Sequence, residues 1–464
     1  MNYSNHLSID SYNRPHGADE WQLRTWLPVI LLGIAFFAID QDPRFLEAEF
    51  SDDAIYAMDE RAESIEQGSS VRRVAFLALG VLGGCLCLQG RGRPLNWRDP
   101  VLLACGGLFA WYTASLFWSV ESDLTARRIT TLLCVFLAAL GLARQLAALA
   151  FARALVALTA TYLAFAFAIE LATGHFRPWS EGYRFAGMVH PNNLAVSCSF
   201  LCLAALALLR SGSAHRLLLG VAIGAGACGL LLTRSRTALV ALLAALLLSW
   251  LIVPGRRALP WALAAGMAAC AAAVAIELSG TSVEQTVVQA ALMGRTDESE
   301  SLTGRLPLWT ELLDFATERP WAGYGYGAFW DPERTEDFSK IFYWPIPDAH
   351  STYVDAVIAA GLIGVGMLAV TLSLAIGRFA ARYRRTLDPG YGLLLALVTF
   401  AAVNAFTESD LLQPSFIALV TLCAMFQLPF GAGEEDRAQS VPVLPVVRGI
   451  PSELPWCYRE GIVT

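Results

Sequence analysis

Two arginines separated by a single serine lie between two apolar runs, in the segment Thr233-Arg234-Ser235-Arg236-Thr237. Charged side chains beside membrane-length apolar runs are costly unless an oppositely charged group meets them. The planar guanidinium offers a fork of donors that suits phosphate oxygens. The alternative is that these arginines reach lipid headgroups or pair with a carboxylate of a loop. The very short connection leaves little room for solvation and favours the binding of an anion.

A third arginine belongs to the segment 304–309, G-R-L-P-L-W. Proline is favoured early in a helix, so Pro307 predicts that Arg305 lies near a helix N-terminus. The unpaired N–H groups of such a terminus also favour anions. In the segment 319–329, R-P-W-A-G-Y-G-Y-G-A-F, the glycines permit a tight turn with close approach of the backbone. Because no strand–helix unit surrounds these glycines, they do not predict a nucleotide-binding fold.

A histidine lies where a polar stretch meets an apolar run, in the segment 348–353, D-A-H-S-T-Y. Histidine titrates near neutral pH and can act as a general base. The alternative for His350 is a structural histidine, hydrogen-bonded at the start of a helix.

A fourth polar segment is 183–195, Y-R-F-A-G-M-V-H-P-N-N-L-A, which opens another apolar run. Polar residues at such a position indicate a cavity lining, because lipid cannot satisfy them. Capping of the helix by Asn192 or Asn193 is an equally good interpretation. His175 and His215 are interpreted as structural.

The elements that position these segments are predicted to be membrane helices. Of 464 residues, 56% are hydrophobic and only 16% are charged, which is more apolar surface than a soluble core of this size can bury. The apolar runs suit a bilayer core of ~30 Å. We therefore expect an all-α integral membrane protein with about twelve spans: 26–39, 73–89, 100–118, 129–147, 152–172, 189–209, 216–233, 237–253, 259–278, 351–376, 391–407 and 413–430.

The arginines indicate which connections are cytoplasmic. Alternate short connections hold Arg91, Arg93, Arg98, Arg144, Arg153, Arg210, Arg216, Arg256, Arg257, Arg378, Arg382, Arg384 and Arg385. The other connections carry acids, as in 40–71 and at Glu408 and Asp410. Both termini are thus expected in the cytoplasm, and the polar N-terminus does not resemble a cleaved signal peptide. The four polar segments fall on the outer side, which favours a functional role for His350.

The predicted organisation has one large outer segment. It lies between the ninth and tenth spans and contains a helix near Leu306 to Thr317. The expected parts are a cytoplasmic segment 1–25, nine spans in 26–278, the outer segment 279–350, three spans in 351–430 and a cytoplasmic tail 431–464.

Metals, cofactors and nucleic acids are not expected as partners. The ten cysteines are scattered, and Cys85 and Cys87 have neither a matching second pair nor histidines at ligand spacing. The net charge of −7 is distributed over loops and indicates no charged macromolecular partner.

At these segments the sequence resembles the O-antigen ligase and polysaccharide polymerase superfamily of bacterial envelope glycosyltransferases. The resemblance extends over roughly residues 100–430. It rests on the order and placement of T-R-S-R-T, G-R-L-P-L-W, R-P-W-A-G-Y-G-Y-G-A-F and D-A-H-S-T-Y. The segment R-F-A-G-M-V-H-P-N-N-L-A resembles one that is common in the exopolysaccharide polymerase branch.

The resemblance implies a GT-C-like membrane enzyme that acts without a metal on the periplasmic side of the inner membrane. Such enzymes transfer a glycan from undecaprenyl diphosphate to a hydroxyl of another repeat unit or of lipid A-core. By the same resemblance, Arg236 and Arg305 hold the diphosphate, Arg234 assists, and His350 deprotonates or orients the acceptor hydroxyl. The candidate glycan or lipid contacts are Arg184, His190, Asn192, Tyr324 and Tyr353.

Two departures from the family pattern concern the site. Ser351 follows the histidine, where the family often has Asn. The extra arginine of T-R-S-R leaves open whether Arg234 or Arg236 is the phosphate ligand.

Three functions remain under comparison. A surface or exopolysaccharide polymerase is favoured over an O-antigen ligase by the H-P-N-N segment, and protein O-glycosylation by related enzymes stays open. A transporter or flippase for a lipid-linked glycan should show paired repeats, broken helices near the midplane and charges deep within spans. No repeat is evident, and the candidate residues cluster at one face, which favours an enzyme. A non-catalytic membrane scaffold predicts that Arg236, Arg305 and His350 can be replaced without effect.

Overall fold

The structure, a computed structural model, describes residues 70–89, 92–180, 183–187, 189–253, 302–342, 344 and 346–430, together with Gly33. The predicted span 259–278 lies outside these residues. So do the span 26–39 except Gly33, most of the acidic segment 40–71, and the predicted segments 1–25 and 431–464.

The described residues form helices and no strand. The helices are α1 Ser70–Leu88, α2 Pro100–Ala114, α3 Ser122–Gln145, α4 Ala148–Thr173, α5 Pro191–Arg210, α6 Arg216–Thr233, α7 Arg236–Leu251, α8 Leu302–Glu318, α9 Pro332–Phe342, α10 Thr352–Thr386, α11 Pro389–Asn404, α12 Phe416–Met425 and α13 Gln427–Phe430. A 3-10 turn, Ser115–Phe117, follows α2. The predicted helix near Leu306 to Thr317 is confirmed as α8, whereas the second helix of the outer segment, α9, was not expected.

Six of these helices are long and apolar enough to cross a membrane: α2 with its 3-10 turn, α3, α4, α5, α6 and α10. Shorter apolar helices cover Arg236–Leu251, Pro389–Asn404 and Phe416–Phe430. The chain is therefore a multi-pass integral membrane protein, as expected. The predicted total of twelve spans is not established by these helices.

The span expected at 351–376 is longer in the structure, because α10 continues to Thr386. The arginines at 378–385 therefore lie on this helix and not in a loop. Arg378 forms an ion pair with the buried Asp99 at 2.9 Å, which anchors the extension to the start of α2. The helix ends where Leu387 adopts a left-handed conformation (φ 54°).

Proline and a capping side chain begin several of these helices. Asp99 precedes Pro100 at the start of α2, and Asp388 precedes Pro389 at the start of α11. Each aspartate accepts hydrogen bonds from backbone N–H groups of the first turn. Proline at the first helical position loses no intrahelical hydrogen bond, so these sequences fix where the helices begin.

The centre of the described bundle is formed by α5 and α11. The apolar window of α5 is 78% buried, against 28% for α6, so α5 is interior and α6 presents most of its surface outward. Helix α5 packs against α4, α6, α7 and α11, and α11 also packs against α10 and α12. Most side chains of α11 are buried. These two helices form the rigid frame from which the polar segments project.

Helix α10 is interrupted at Gly361 (φ 67°, ψ −169°). The segment 319–329, which we call the Gly/aromatic turn, fills the interruption. Four backbone groups released by the break are hydrogen-bonded to this turn. The pairs are Tyr324 N–H to Ile358 O, Gly325 N–H to Ala359 O, Leu362 N–H to Pro320 O and Ile363 N–H to Trp321 O. Buried backbone groups require such partners, so the turn and the kink depend on each other. The predicted close approach of the backbone at these glycines is confirmed.

Replacing Gly361 by alanine is expected to destabilise the protein. The new Cβ would lie 2.2 Å from the Trp321 carbonyl carbon, in a backbone region open almost only to glycine. We expect a lower melting temperature in detergent, equivalent to about 1–3 kcal/mol. Gly366→Ala in the same helix is the control, because its Cβ would meet open space, and it should be neutral or stabilising. Equal melting temperatures for the two variants would contradict this account of the kink.

Candidate functional site

A chain of polar contacts joins three of the predicted segments at one end of the bundle. Arg184 donates to the carbonyl oxygen of Thr233 (3.2 Å) and to Oδ1 of Asn192 (2.8 Å). Asn192 donates to Oε1 of Glu408 (2.8 Å). The same Glu408 oxygen lies 3.7 Å from Nη2 of Arg305. We call these four side chains, Arg184, Asn192, Glu408 and Arg305, the arginine–glutamate network.

The T-R-S-R-T segment forms the junction between α6 and α7, beside this network. Thr407, next to Glu408, donates to the hydroxyl of Thr237 (2.9 Å), and its carbonyl oxygen accepts from Arg305. Arg234 ends α6 in a left-handed conformation (φ 52°), and Arg236 is the first residue of α7. The Arg234 guanidinium makes no hydrogen bond or ion pair within the described part of the chain.

Arg305 is in the first turn of α8, as predicted, and only 6% of the residue is exposed. Its Nε atom is buried and has no hydrogen-bond partner among the described residues. A buried donor without a partner is costly, so this guanidinium retains capacity for an anionic ligand.

Glu408 is the member of the network that the sequence analysis missed as a site residue. It was interpreted only as an acid that marks an outer connection. Its burial (8% exposed) beside an arginine could not be predicted, because Asn192 and Arg305 are distant in the chain. The available signal was an acid placed almost directly after an apolar run, where an unpaired carboxylate is costly.

Positive charge is in excess around this carboxylate. Four arginines belong to the network or to the adjoining helix junction, whereas Glu408 is the network's one acid. Such an excess favours an anion and increases its local concentration. Within the described residues, no three His, Cys, Asp or Glu side chains come together as a metal site would require.

His350 lies two residues before the start of α10 and has a left-handed backbone (φ 48°). Its N–H donates to Oδ1 of Asp348 (2.8 Å), and its ring Nδ1 lies 3.8 Å from the same oxygen. The ring also packs against Trp344, with 5.1 Å between the ring centroids. Strained backbone of this kind persists only where the surroundings enforce it, and such residues are frequent at functional sites.

Asp348 is held in its ionised form. Burial raises the pKa of its carboxyl, but the charge of His350, the His350 N–H and hydrogen bonds from Gln413 and Ser409 outweigh burial, so the pKa lies below its ordinary value. The Gln413 amide donates to Oδ2 at 2.9 Å. Asp348 can therefore stabilise a proton gained by the imidazole.

The backbone after His350 is tied to the Glu408 segment. Thr352 donates to the Glu408 carbonyl oxygen through its N–H (3.0 Å) and its hydroxyl (2.8 Å). The N–H of Ser351 donates to the hydroxyl of Ser409 (3.0 Å). The histidine segment and the arginine–glutamate network are thus joined at the end of α11.

Ser351 caps α10, since its side chain accepts from the Val354 N–H. Serine and asparagine are about equally good at this position. Ser351 therefore performs a capping function that asparagine could equally perform at this position.

The start of α5 is capped by His190 and by neither Asn192 nor Asn193. Nδ1 of His190 accepts from the Asn192 N–H (3.3 Å), and Pro191 follows the cap. This leaves the Asn192 side chain for Arg184 and Glu408. The interpretation of Asn192 or Asn193 as the cap is therefore wrong, and the cavity-lining interpretation of Asn192 stays a prediction.

The two predicted tyrosine contacts lie outside the network. Tyr324 is buried, and its hydroxyl donates to the Glu318 carboxylate (2.6 Å) and lies 3.0 Å from the Phe315 carbonyl oxygen. Burial and the hydrogen bond to Glu318 raise the pKa of Tyr324 to about 12, so the hydroxyl stays protonated. The hydroxyl of Tyr353 donates to the Ala402 carbonyl oxygen (2.8 Å). A role of either tyrosine in glycan or lipid binding stays a prediction.

Comparison with known proteins bears on these same segments. A family model described as O-antigen ligase matches residues 219–369, which include T-R-S-R-T, Arg305 and His350. The exopolysaccharide production protein ExoQ of Rhizobium meliloti (strain 1021) is 27% identical over 355 residues, covering 73% of this chain and 78% of that protein. The resemblance to the O-antigen ligase and polymerase superfamily is confirmed. The matches and the apolar helices together support a membrane enzyme related to O-antigen or exopolysaccharide synthesis.

A double-mutant cycle should detect the pair formed by Arg305 and Glu408. Removing one partner of a buried ion pair leaves the other uncompensated, at a cost of about 3–5 kcal/mol. Arg305→Met and Glu408→Gln should each lower the melting temperature in detergent. The double variant should lose clearly less than the sum of the two, because no lone charge remains. Additive losses would show that the two side chains do not interact in the folded protein.

Proposed function

We propose that this protein is a membrane glycosyltransferase that moves a glycan from undecaprenyl diphosphate to an acceptor hydroxyl. In this proposal the reaction occurs on the periplasmic face of the bacterial inner membrane, with both termini in the cytoplasm. The polymerisation of a surface polysaccharide or exopolysaccharide is the preferred reaction. The ligation of O-antigen to lipid A-core is the second candidate.

The observation that carries the proposal is the arginine–glutamate network beside His350. Displacement of a lipid diphosphate from an anomeric carbon develops negative charge on the leaving oxygen. Fixed guanidinium groups in a site of low dielectric constant stabilise such charge. Arg305 supplies a buried guanidinium whose Nε has no partner within the described part of the chain, and Arg234 and Arg236 lie at the adjoining helix junction. In this assignment, arginines perform the charge stabilisation that divalent cations perform in other phosphate chemistry.

His350 is assigned the role of general base in this scheme. The imidazole takes the proton of the acceptor hydroxyl, whose oxygen forms the new bond to the anomeric carbon while the bond to the diphosphate breaks. Asp348 then faces the protonated ring at 3.8 Å and stabilises its charge. A single displacement of this kind inverts the anomeric configuration.

Two observations favour polymerase over ligase. Asn192 and Arg184 belong to the polar segment that resembles the exopolysaccharide polymerase branch, and both are members of the network. The similar protein from Rhizobium meliloti is described as an exopolysaccharide production protein.

Complementation of a deletion strain tests the proposal. We expect Arg305→Ala, Arg236→Ala and His350→Ala to leave short, single-unit glycans, because each loss should slow transfer by about 100-fold or more. Glycan length would be read on gels, with membrane abundance measured for every variant. Arg216→Ala and His215→Ala are matched controls, since both residues are exposed at the start of α6, the end opposite the T-R-S-R-T junction, and they should restore long chains.

The other outcomes separate the alternatives. Full-length lipid-linked chains that never join lipid A-core would identify a ligase. Wild-type glycan from all three site variants would contradict the site and favour a transporter or a scaffold. In a purified assay, transfer should persist in excess chelator, and loss of transfer that a divalent cation restores would contradict the role given to the arginines.

A further inference from the structure

Helix α4 contains a single acid, Glu170, close to its C-terminal end. The residue is only 3% exposed. Its Oε1 accepts from the N–H groups of Ala186 (2.8 Å) and Gly187 (2.9 Å), and its Oε2 accepts from the hydroxyl of Tyr183. A buried carboxylate is costly unless donors surround it, and here three donors converge on it.

All three donors belong to one segment, 183–187, and this segment carries Arg184. Between the donors, the N–H of Phe185 donates to the Leu232 carbonyl oxygen (2.9 Å), and the Phe185 ring is fully buried. Gly187 (φ 65°) passes so close to α4 that a Cβ would lie 2.7 Å from Cβ of Ala166. The segment is thus fixed on both sides of Arg184.

The position of the segment 183–187 affects the arginine–glutamate network. Arg184 bridges Thr233, at the helix junction, and Asn192, which in turn donates to Glu408. If the segment shifted, Arg184 and Asn192 would lose their alignment with Glu408 and Arg305. Glu170 itself belongs to α4, and among the described residues its carboxylate is hydrogen-bonded only to Tyr183 and to the backbone of Ala186 and Gly187. Any influence of Glu170 on the network therefore passes through the segment.

We propose that Glu170 is a positioning residue for the lipid-diphosphate site. It holds the segment 183–187 so that Arg184 and Asn192 keep the network in the geometry that receives a diphosphate group. This inference rests on the proposed function, because it assumes that the network binds the donor's diphosphate. It goes beyond the proposed function, because Glu170 lies outside the network.

The test measures binding of farnesyl diphosphate, a short prenyl diphosphate, to the purified protein in detergent. Glu170→Gln keeps the size of the side chain but removes its charge and one acceptor. We expect the dissociation constant to rise by about tenfold, since misplacing a binding group by ~1 Å can cost ~100-fold in rate. Tyr183→Phe, which removes one donor, should raise it by a smaller factor. Tyr112→Phe is the matched control: it also removes a buried tyrosine hydroxyl, one without a partner among the described residues, and should leave the dissociation constant unchanged.

A double variant distinguishes positioning from a general structural role. If Glu170 acts through Arg184, then Glu170→Gln combined with Arg184→Ala should bind no more weakly than Arg184→Ala alone. If the dissociation constant of the double variant rises by the product of the two single-variant factors, the inference is overturned, because Glu170 would then act independently of Arg184. Melting temperatures would be recorded for every variant. If Glu170→Gln does not fold, the same cycle with Tyr183→Phe and Arg184→Ala decides the question.

Two further results separate this inference from the proposed function. If Arg184→Ala weakens binding but both Glu170→Gln and Tyr183→Phe bind normally, the positioning role is wrong and the diphosphate site stands. If Arg184→Ala and Arg305→Ala both bind as tightly as the wild type, the proposed diphosphate site itself is wrong.

Discussion

The carboxylate of Glu408 accepts a hydrogen bond from Asn192 and lies 3.7 Å from the guanidinium of Arg305, in a place where the residue is 8% exposed. Three segments far apart in the chain must converge for this contact to exist. A buried charge is tolerated only with such partners, so the carboxylate constrains the ends of α5, α8 and α11 to one location. The same constraint fixes the position of the His350 segment, because Thr352, two residues after the histidine, is hydrogen-bonded to the backbone of Glu408.

The site is built where regular helix geometry ends. Among the described residues, three non-glycine residues have positive φ, and two of them, Arg234 and His350, are predicted site residues. The buried helices α5 and α11 hold the surrounding segments in place. The polar groups are positioned by the strained backbone at Arg234 and His350. This division agrees with the general location of strain at binding and catalytic positions. The kink of α10 at Gly361 has a separate structural role, because its backbone groups are hydrogen-bonded to the Gly/aromatic turn.

Most of the apolar helices could be predicted from the sequence, because they depend on local composition, whereas the polar helix α9 was not expected. Apolar runs predicted most helix positions, with α6 matching residue for residue, and Pro307 correctly placed Arg305 early in a helix. The roles of Glu408 and Glu170 were not predictable, since their partners are supplied by the tertiary fold. The length of α10 was underestimated because hydropathy falls before the helix ends. Asn192 could not be distinguished from a cap until the His190 imidazole was seen to cap α5.

The most direct test of the central claim is an experimental structure of the protein with a bound prenyl diphosphate. The account predicts phosphate oxygens about 3 Å from the guanidinium of Arg305 and from that of Arg234 or Arg236. It also predicts that the lipid chain leaves the site toward the membrane while the anomeric position faces His350. A diphosphate bound elsewhere, with Arg305 still paired to Glu408 and no phosphate near the helix junction, would contradict it.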